Sequence, residues 1–260
     1  FISAYPPGKM WKQKSDTWGK WLRSGESQKK KKKMLRLFFF KNFATSLLCI
    51  ISTSVLGQLS WDSTYRPDIY RSRVHMFQAM PSGKKDIVFA GDSITFWGDW
   101  IERLGTKKVK NRAIPGDTSF GLLEHLEGLL KAKPDKLFIM IGVNDLARHI
   151  PVSVLLENYR RMIQVSKSLS PGTDVYFQTI LPVNSSFKKL KNHYAAAIKI
   201  EQVNDSLQSW ASGNNIRLID LSSSFSDAKG NLKEELTWDG VHLTADGYQL
   251  WVTLLKSKKV

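Results

Sequence analysis

From residue 86 onward the chain alternates short apolar runs with longer segments of helical period, and few folds can use such a pattern. The runs cover 86–90, 109–114, 136–141, 174–179 and 216–221. Amphipathic segments near 97–104, 119–132, 151–169 and 194–211 separate them, and a last helix is expected over about 244–256. Strands joined by helices return to the same end of a sheet and so pair in parallel. Helices then cover both faces, which makes such strands apolar on both sides. The runs Ile87-Val88-Phe89-Ala90 and Leu137-Phe138-Ile139-Met140-Ile141 are indeed continuous instead of alternating. The expected architecture is a three-layer α/β/α sandwich on a five-stranded, flavodoxin-like parallel sheet. Residues 60–85, with Trp61, Tyr65, Tyr70 and Phe77, read as a lead-in segment packed across the sheet's flank.

Length and composition allow one domain of this kind. With 260 residues, 42% of them hydrophobic, the chain can bury a single sizeable core, assigned to 58–260. The formal charge of +16 points toward nucleic acid, but its distribution does not. Residues 1–57 hold 12 of the 39 Lys and Arg and 2 of the 23 acids, which leaves +6 scattered over the rest. No basic stripe of helical length is present, so no nucleic-acid partner is expected.

The N-terminal excess has its own explanation. Residues 34–57 have the layout of a secretory signal peptide: a basic start, an apolar stretch over 43–56 too short to span a bilayer, and Val55 and Gly57 before a cut. The product would be secreted or periplasmic, with no stable membrane span. Cys49, the single cysteine, lies in the apolar stretch, so thiol chemistry plays no part after cleavage. Residues 1–33, closed by the run Lys29 to Lys33, read as an upstream leader or an expression remnant foreign to the native product.

Four short blocks follow the expected strands. Gly91-Asp92-Ser93 comes after the first, Gly116 after the second and Gly142-Val143-Asn144-Asp145 after the third. Asp239-Gly240-Val241-His242 comes after the fifth, just before the last helix. In open parallel sheets chemistry sits outside the carboxyl ends of the strands. The spacing of Asp239 and His242 lets a carboxylate reach one imidazole nitrogen while the other faces Ser93, the arrangement a hydroxyl nucleophile needs for acyl transfer. Singly, each block has an ordinary explanation: Gly-Asp-Ser is a turn, and the Asn and Asp residues cap helices. Their order, each behind a strand, carries the catalytic reading. His75, His125, His149 and His193 lack such context and are assigned to surface or packing roles, while Asp92 and Asp145 are read as orienting neighbours by hydrogen bonds. No metal-ligand spacing appears, so no metal or cofactor is expected and protein donors must polarise the carbonyl.

These blocks resemble those of the GDSL or SGNH hydrolases, over roughly 86–256, in particular relatives similar to bacterial carbohydrate acetylesterases and platelet-activating-factor acetylhydrolase subunits. The resemblance implies that Ser93 is the nucleophile and that Asp239 and His242 complete its triad. It also implies an oxyanion hole built from the Ser93 and Gly116 N–H groups and the Asn144 side-chain amide. The chain departs from the pattern at Ile94, where the name motif has leucine, and at Ala113-Ile114-Pro115, where such relatives carry extra glycines. Pro115 has no N–H, so only Gly116 can donate there.

The substrate expected is a small ester, an acetylated carbohydrate above all. No apolar insertion suggests a lid, and the strand-to-helix connections read as short. Trp97 and Trp238 are candidate walls for a sugar ring, and Arg112 and Arg148 are candidate partners for a substrate carboxylate. A lysophospholipase or thioesterase-like hydrolase is the alternative within enzymes, and a non-catalytic binding module on the same fold is the alternative outside them. Asn184 and Asn204 begin glycosylation sequons.

Overall fold

The computed structural model describes residues 60–213 and 216–258; the expected leader and signal peptide lie outside the described residues. Five strands, β1 (Ile87–Gly91), β2 (Val109–Asn111), β3 (Lys136–Met140), β4 (Asp174–Gln178) and β5 (Arg217–Ile219), form one sheet in the order β2-β1-β3-β4-β5. Every neighbouring pair is parallel. The chain winds outward from β1 to β2, then crosses back to β3. This places the reversal of winding between β1 and β3, and open α/β sheets form their ligand crevice at such a point, outside the carboxyl ends of the strands.

Ten helices accompany the strands among the described residues. They are α1 (Tyr70–Ala79), α2 (Ser93–Phe96), α3 (Trp100–Leu104), α4 (Ser119–Leu130), α5 (Val143–Ala147), α6 (Val152–Leu169), α7 (Lys191–Tyr194), α8 (Ala197–Ser212), α9 (Ser222–Phe225) and α10 (Ala245–Ser257). The α4, α6 and α8 helices pack side by side, and α3 and α10 pack together, giving the three layers. None of the described helices is long and apolar enough to cross a membrane.

Register builds the core. Phe89, Phe138 and Tyr176 are opposite one another across β1, β3 and β4, so their rings stack at 4.8 and 5.0 Å. Trp100 lies on Phe89 at 4.3 Å and meets Trp251 of α10 edge-on at 4.8 Å. Both indoles are buried, and each N–H finds an acceptor, Trp100 at Thr95 O and Trp251 at Gln178 Oε1. Burial of side chains this size stabilises by about 2–3 kcal/mol each, provided the polar atom is satisfied. The last helix starts where Thr244 Oγ1 accepts the Gly247 N–H, a side-chain cap.

The elements differ from the sequence expectation at their ends. Both edge strands are shorter than their apolar runs. Beyond Asn111 the chain still follows β1, with Arg112 N–H donating to Phe89 O and Ile114 N–H to Gly91 O, until Pro115 ends the pairing. The helix expected near 97–104 is two short ones, split at Gly98 and Asp99, where Asp99 takes φ 45°. The lead-in segment forms α1 and packs on α4: the Tyr70 hydroxyl donates to Gly121 O, and Trp61 stacks on Phe120.

Candidate active site

The nucleophile position is created by a glycine. A Cβ at Gly91 would lie 2.2 Å from Met140 O and 2.5 Å from Thr95 Oγ1, so only glycine lets β1 end this close to β3 and turn at once into α2. Asp92 is extended and its carboxylate accepts the Ile94 N–H at 3.0 Å, capping α2. Ser93 is thereby the first residue of the helix, where a backbone N–H has no helical acceptor.

Three side chains then meet. Ser93 Oγ is 2.8 Å from His242 Nε2, and His242 Nδ1 is 2.7 Å from Asp239 Oδ2. The other carboxylate oxygen of Asp239 accepts the N–H groups of Val241 and His242 at 2.9 and 2.7 Å. Burial works to raise the Asp239 pKa, but the His242 contact and these backbone donors outweigh it and hold the carboxyl below its ordinary value. An ionised acceptor at Nδ1 keeps the proton on that nitrogen and turns the Nε2 lone pair toward Ser93. The loop is fixed from several sides: Thr237 Oγ1 donates to His242 O, the Tyr194 hydroxyl to Asp239 O and Asn184 N–H to Gly240 O.

Across the crevice lie three donors. Gly116 takes φ 77°, a left-handed conformation that glycine adopts without strain. Its N–H and that of Ser93 have no acceptor among the described residues. Asn144, buried at the start of α5, donates through Nδ2 to Asp117 O at 3.0 Å, and its Oδ1 is 3.1 Å from His193 Nε2. The sequence alone gives His193 a surface or packing role, and its contact with Asn144 corrects that reading. Burial, and after it the neighbouring His242, hold the His193 pKa below its ordinary value. The chain delivers His193 through the connection from Thr179 to Ala196, which buries Ile180, Leu181 and Val183 at its start and carries Lys188, Lys189 and Lys191 just before His193. The fourth strand was the one whose carboxyl end carried no recognisable block.

Buried acids support the crevice from below. Asp145 accepts from both the backbone N–H and the hydroxyl of Ser119, and so ties α5 to the start of α4. Burial pushes Asp92 up to about 7 and Asp145 up to about 6. Asp117 is also raised, first by burial and then by the charge of Asp145.

The candidate substrate residues divide. Trp238 is 54% exposed and stacks on His242, with Lys189 Nζ 5.8 Å from its ring. Trp97 is 56% exposed and meets Phe96 edge-on. Arg148 is exposed over the ring of Tyr65, whose hydroxyl lies beside Gly116. Arg112 does not join them, a correction to the sequence reading. Its guanidinium is buried over Phe77, donates to Met80 Sδ and Asn111 O, and lines a separate cavity beside α1 with Asp86 and His125. The side chain leaves the chain just past the end of β2 and runs under α1, toward Phe77 and Met80. Both sequon asparagines are also buried, Asn184 donating to Leu232 O and Asn204 to Ile180 O.

Residues 89–250, a span that includes Ser93, Gly116, Asn144, Asp239 and His242, match the GDSL-like Lipase/Acylhydrolase family. The N-acylneuraminate cytidylyltransferase of Streptococcus agalactiae serotype III (strain NEM316) is 27% identical over 177 residues, 65% of this chain and 39% of that protein. The chain thus spans about two-fifths of the length of the curated relatives it matches. Among solved structures, a Streptococcus pneumonia protein provisionally described as a platelet activating factor superposes with a TM-score of 0.67 at 29% identity, covering 83% of this chain and 99% of its own. A GDSL-like lipase from Bacteroides thetaiotaomicron VPI-5482 has a TM-score of 0.64 at 23% identity, covering 73% and 96%. An acetylxylan esterase from Geobacillus stearothermophilus has 0.53 at 20%, covering 67% and 94%. At those identities the last two share the fold. The family match over the larger part of the chain carries the assignment, and this protein belongs to the GDSL-like lipase/acylhydrolase family of hydrolases that act on esters.

Proposed function

We propose that this protein is a secreted serine esterase that removes short acyl groups, acetyl above all, from carbohydrate. One observation carries the mechanism: the unbroken chain from Ser93 Oγ through His242 to Asp239, with links of 2.8 and 2.7 Å. Ser93 Oγ attacks the ester carbonyl as its proton passes to His242 Nε2. Asp239 stabilises the imidazolium so formed. The developing oxyanion faces the Ser93 and Gly116 N–H groups and the free hydrogen of Asn144 Nδ2, donors in place before the charge appears. Collapse expels the sugar hydroxyl, which takes the proton back from His242. Water then attacks the acyl-Ser93 ester with His242 again as base, and the acid is released.

The exposed faces of Trp238 and Trp97 suit a sugar ring, and the fold is shared with a protein named an acetylxylan esterase. Secretion rests on the sequence of 34–57. The test is covalent labelling of Ser93 by a fluorophosphonate together with release of acetate from an acetylated sugar. Both should be abolished in Ser93→Ala, and a variant that still turns over would remove the mechanism. Labelling of Ser93 without release of acetate from any sugar would leave a serine hydrolase and discard the carbohydrate assignment.

A further inference from the structure

Asn144 is held at both ends of its carboxamide, and the two partners determine which end is which. Asp117 O can only accept, so the atom 3.0 Å from it is Nδ2. Oδ1 therefore faces His193, and because Oδ1 can only accept, His193 Nε2 at 3.1 Å must carry the hydrogen. The depressed pKa of His193 fits a neutral ring with its single N–H at Nε2. A planar group tied at two points has no torsional freedom left, so the direction of the second Nδ2 hydrogen is set. Without His193 the carboxamide can rock, or turn over and present an oxygen where a donor is needed.

We propose that His193 is a positioning residue for the oxyanion hole: its Nε2–H fixes the Asn144 amide so that the free N–H meets the developing oxyanion. This rests on the serine-esterase reading of the same site. It assigns the α7 segment a catalytic purpose, since the connection after β4 brings a donor to a side chain on α5.

The test is steady-state kinetics on an acetyl ester with five single variants and one double variant. His193→Ala should lower kcat by roughly tenfold with KM within about twofold, since a mis-set oxyanion donor weakens the transition state and leaves ground-state binding almost unchanged. His193→Gln, which can place an N–H near the position of Nε2, should recover to within about threefold of the parent. His193→Phe keeps a ring of similar bulk without the donor and should behave like His193→Ala, a result that packing alone would not give. In the Asn144→Ala background, itself slower by about 10²–10³, His193→Ala should cost less than about twofold more, because the group it positions is gone. Independent, additive losses, or a change confined to KM, would overturn the proposal by placing His193 on the substrate instead. Ser93→Ala separates the two levels: turnover retained there removes the esterase reading itself, whereas an inactive Ser93→Ala beside an unimpaired His193→Ala removes only the positioning role.

Discussion

Trp238 lies flat against His242, with ring centroids 5.4 Å apart and planes 17° from parallel. The imidazole that contacts Ser93 thus has an indole for one wall, and that indole keeps more than half its surface in solvent. One face restricts how the base can tilt. The exposed remainder offers an aromatic surface within reach of the reacting ester.

Removing that surface should affect sugar esters more than small ones. Trp238→Ala is expected to raise KM for an acetylated sugar by roughly tenfold, the scale of one aromatic contact of about 1–2 kcal/mol. KM for p-nitrophenyl acetate, too small to reach across the indole, should change less than threefold. Trp238→Phe should recover most of the loss. Equal effects on both esters would make the indole a support for His242 alone.

Asp239→Asn tests the tautomer. The amide can still accept the Val241 and His242 N–H groups through its oxygen, so the loop should stay folded. Its nitrogen now opposes Nδ1, which must give up its hydrogen, and the proton moves to Nε2, where it blocks acceptance from Ser93. A fall in kcat of roughly 10²–10⁴ is expected with an unchanged melting temperature. Comparing kcat with thermal unfolding of the same preparation checks both halves.

Acyl length reads the depth of the pocket. If no apolar channel extends beyond the acetyl position, each added methylene gains none of the ~0.8 kcal/mol that burial offers. kcat/KM should then fall steadily from acetate through butyrate to octanoate and palmitate. An octanoate optimum would favour the lysophospholipase or thioesterase-like reading.

Asp92 should make stability depend on pH. Its folded pKa of about 7 lies above the ordinary 3.8 because burial disfavours the charged form. Between these values the folded state holds a proton that the unfolded state has released. Its stabilising contribution is therefore full below about pH 4 and is lost as pH rises through about 7. Asp92→Asn keeps an acceptor for the Ile94 N–H and has no such titration. Relative to the parent it should gain on the order of 2–4 kcal/mol between pH 4 and pH 8, measured by denaturant unfolding at both. A constant difference across that range would show that Asp92 does not titrate there.

The residues legible from sequence are those whose type is demanded by chemistry and whose place is demanded by topology. Ser93, Gly116 and Asn144 each stand just past a strand that the pattern of apolar residues marks, and Asp239 and His242 stand close enough in sequence to find each other. Arg112 satisfied the same positional rule and still points elsewhere, because a strand end fixes where a backbone goes and not which way a long side chain leaves it. His193 was invisible for another reason. Its partner Asn144 is 49 residues away, and nothing local to the 179–196 connection shows that it returns to the crevice. Strand lengths were overestimated at both sheet edges, since an apolar run records burial, and burial continues past the last ladder bond.

The contact between Ser93 and His242 joins positions 149 apart, and beside it the Tyr248 hydroxyl of α10 donates to Ile94 O across 154. The nucleophile belongs to the first strand and its base to the loop before the last helix. A chain emerging from the ribosome therefore carries a serine with no base until its C-terminal residues arrive and dock. On refolding, the return of hydrolysis times that docking, a late event among contacts of such long range, while far-ultraviolet dichroism times the sheet and helices that precede it.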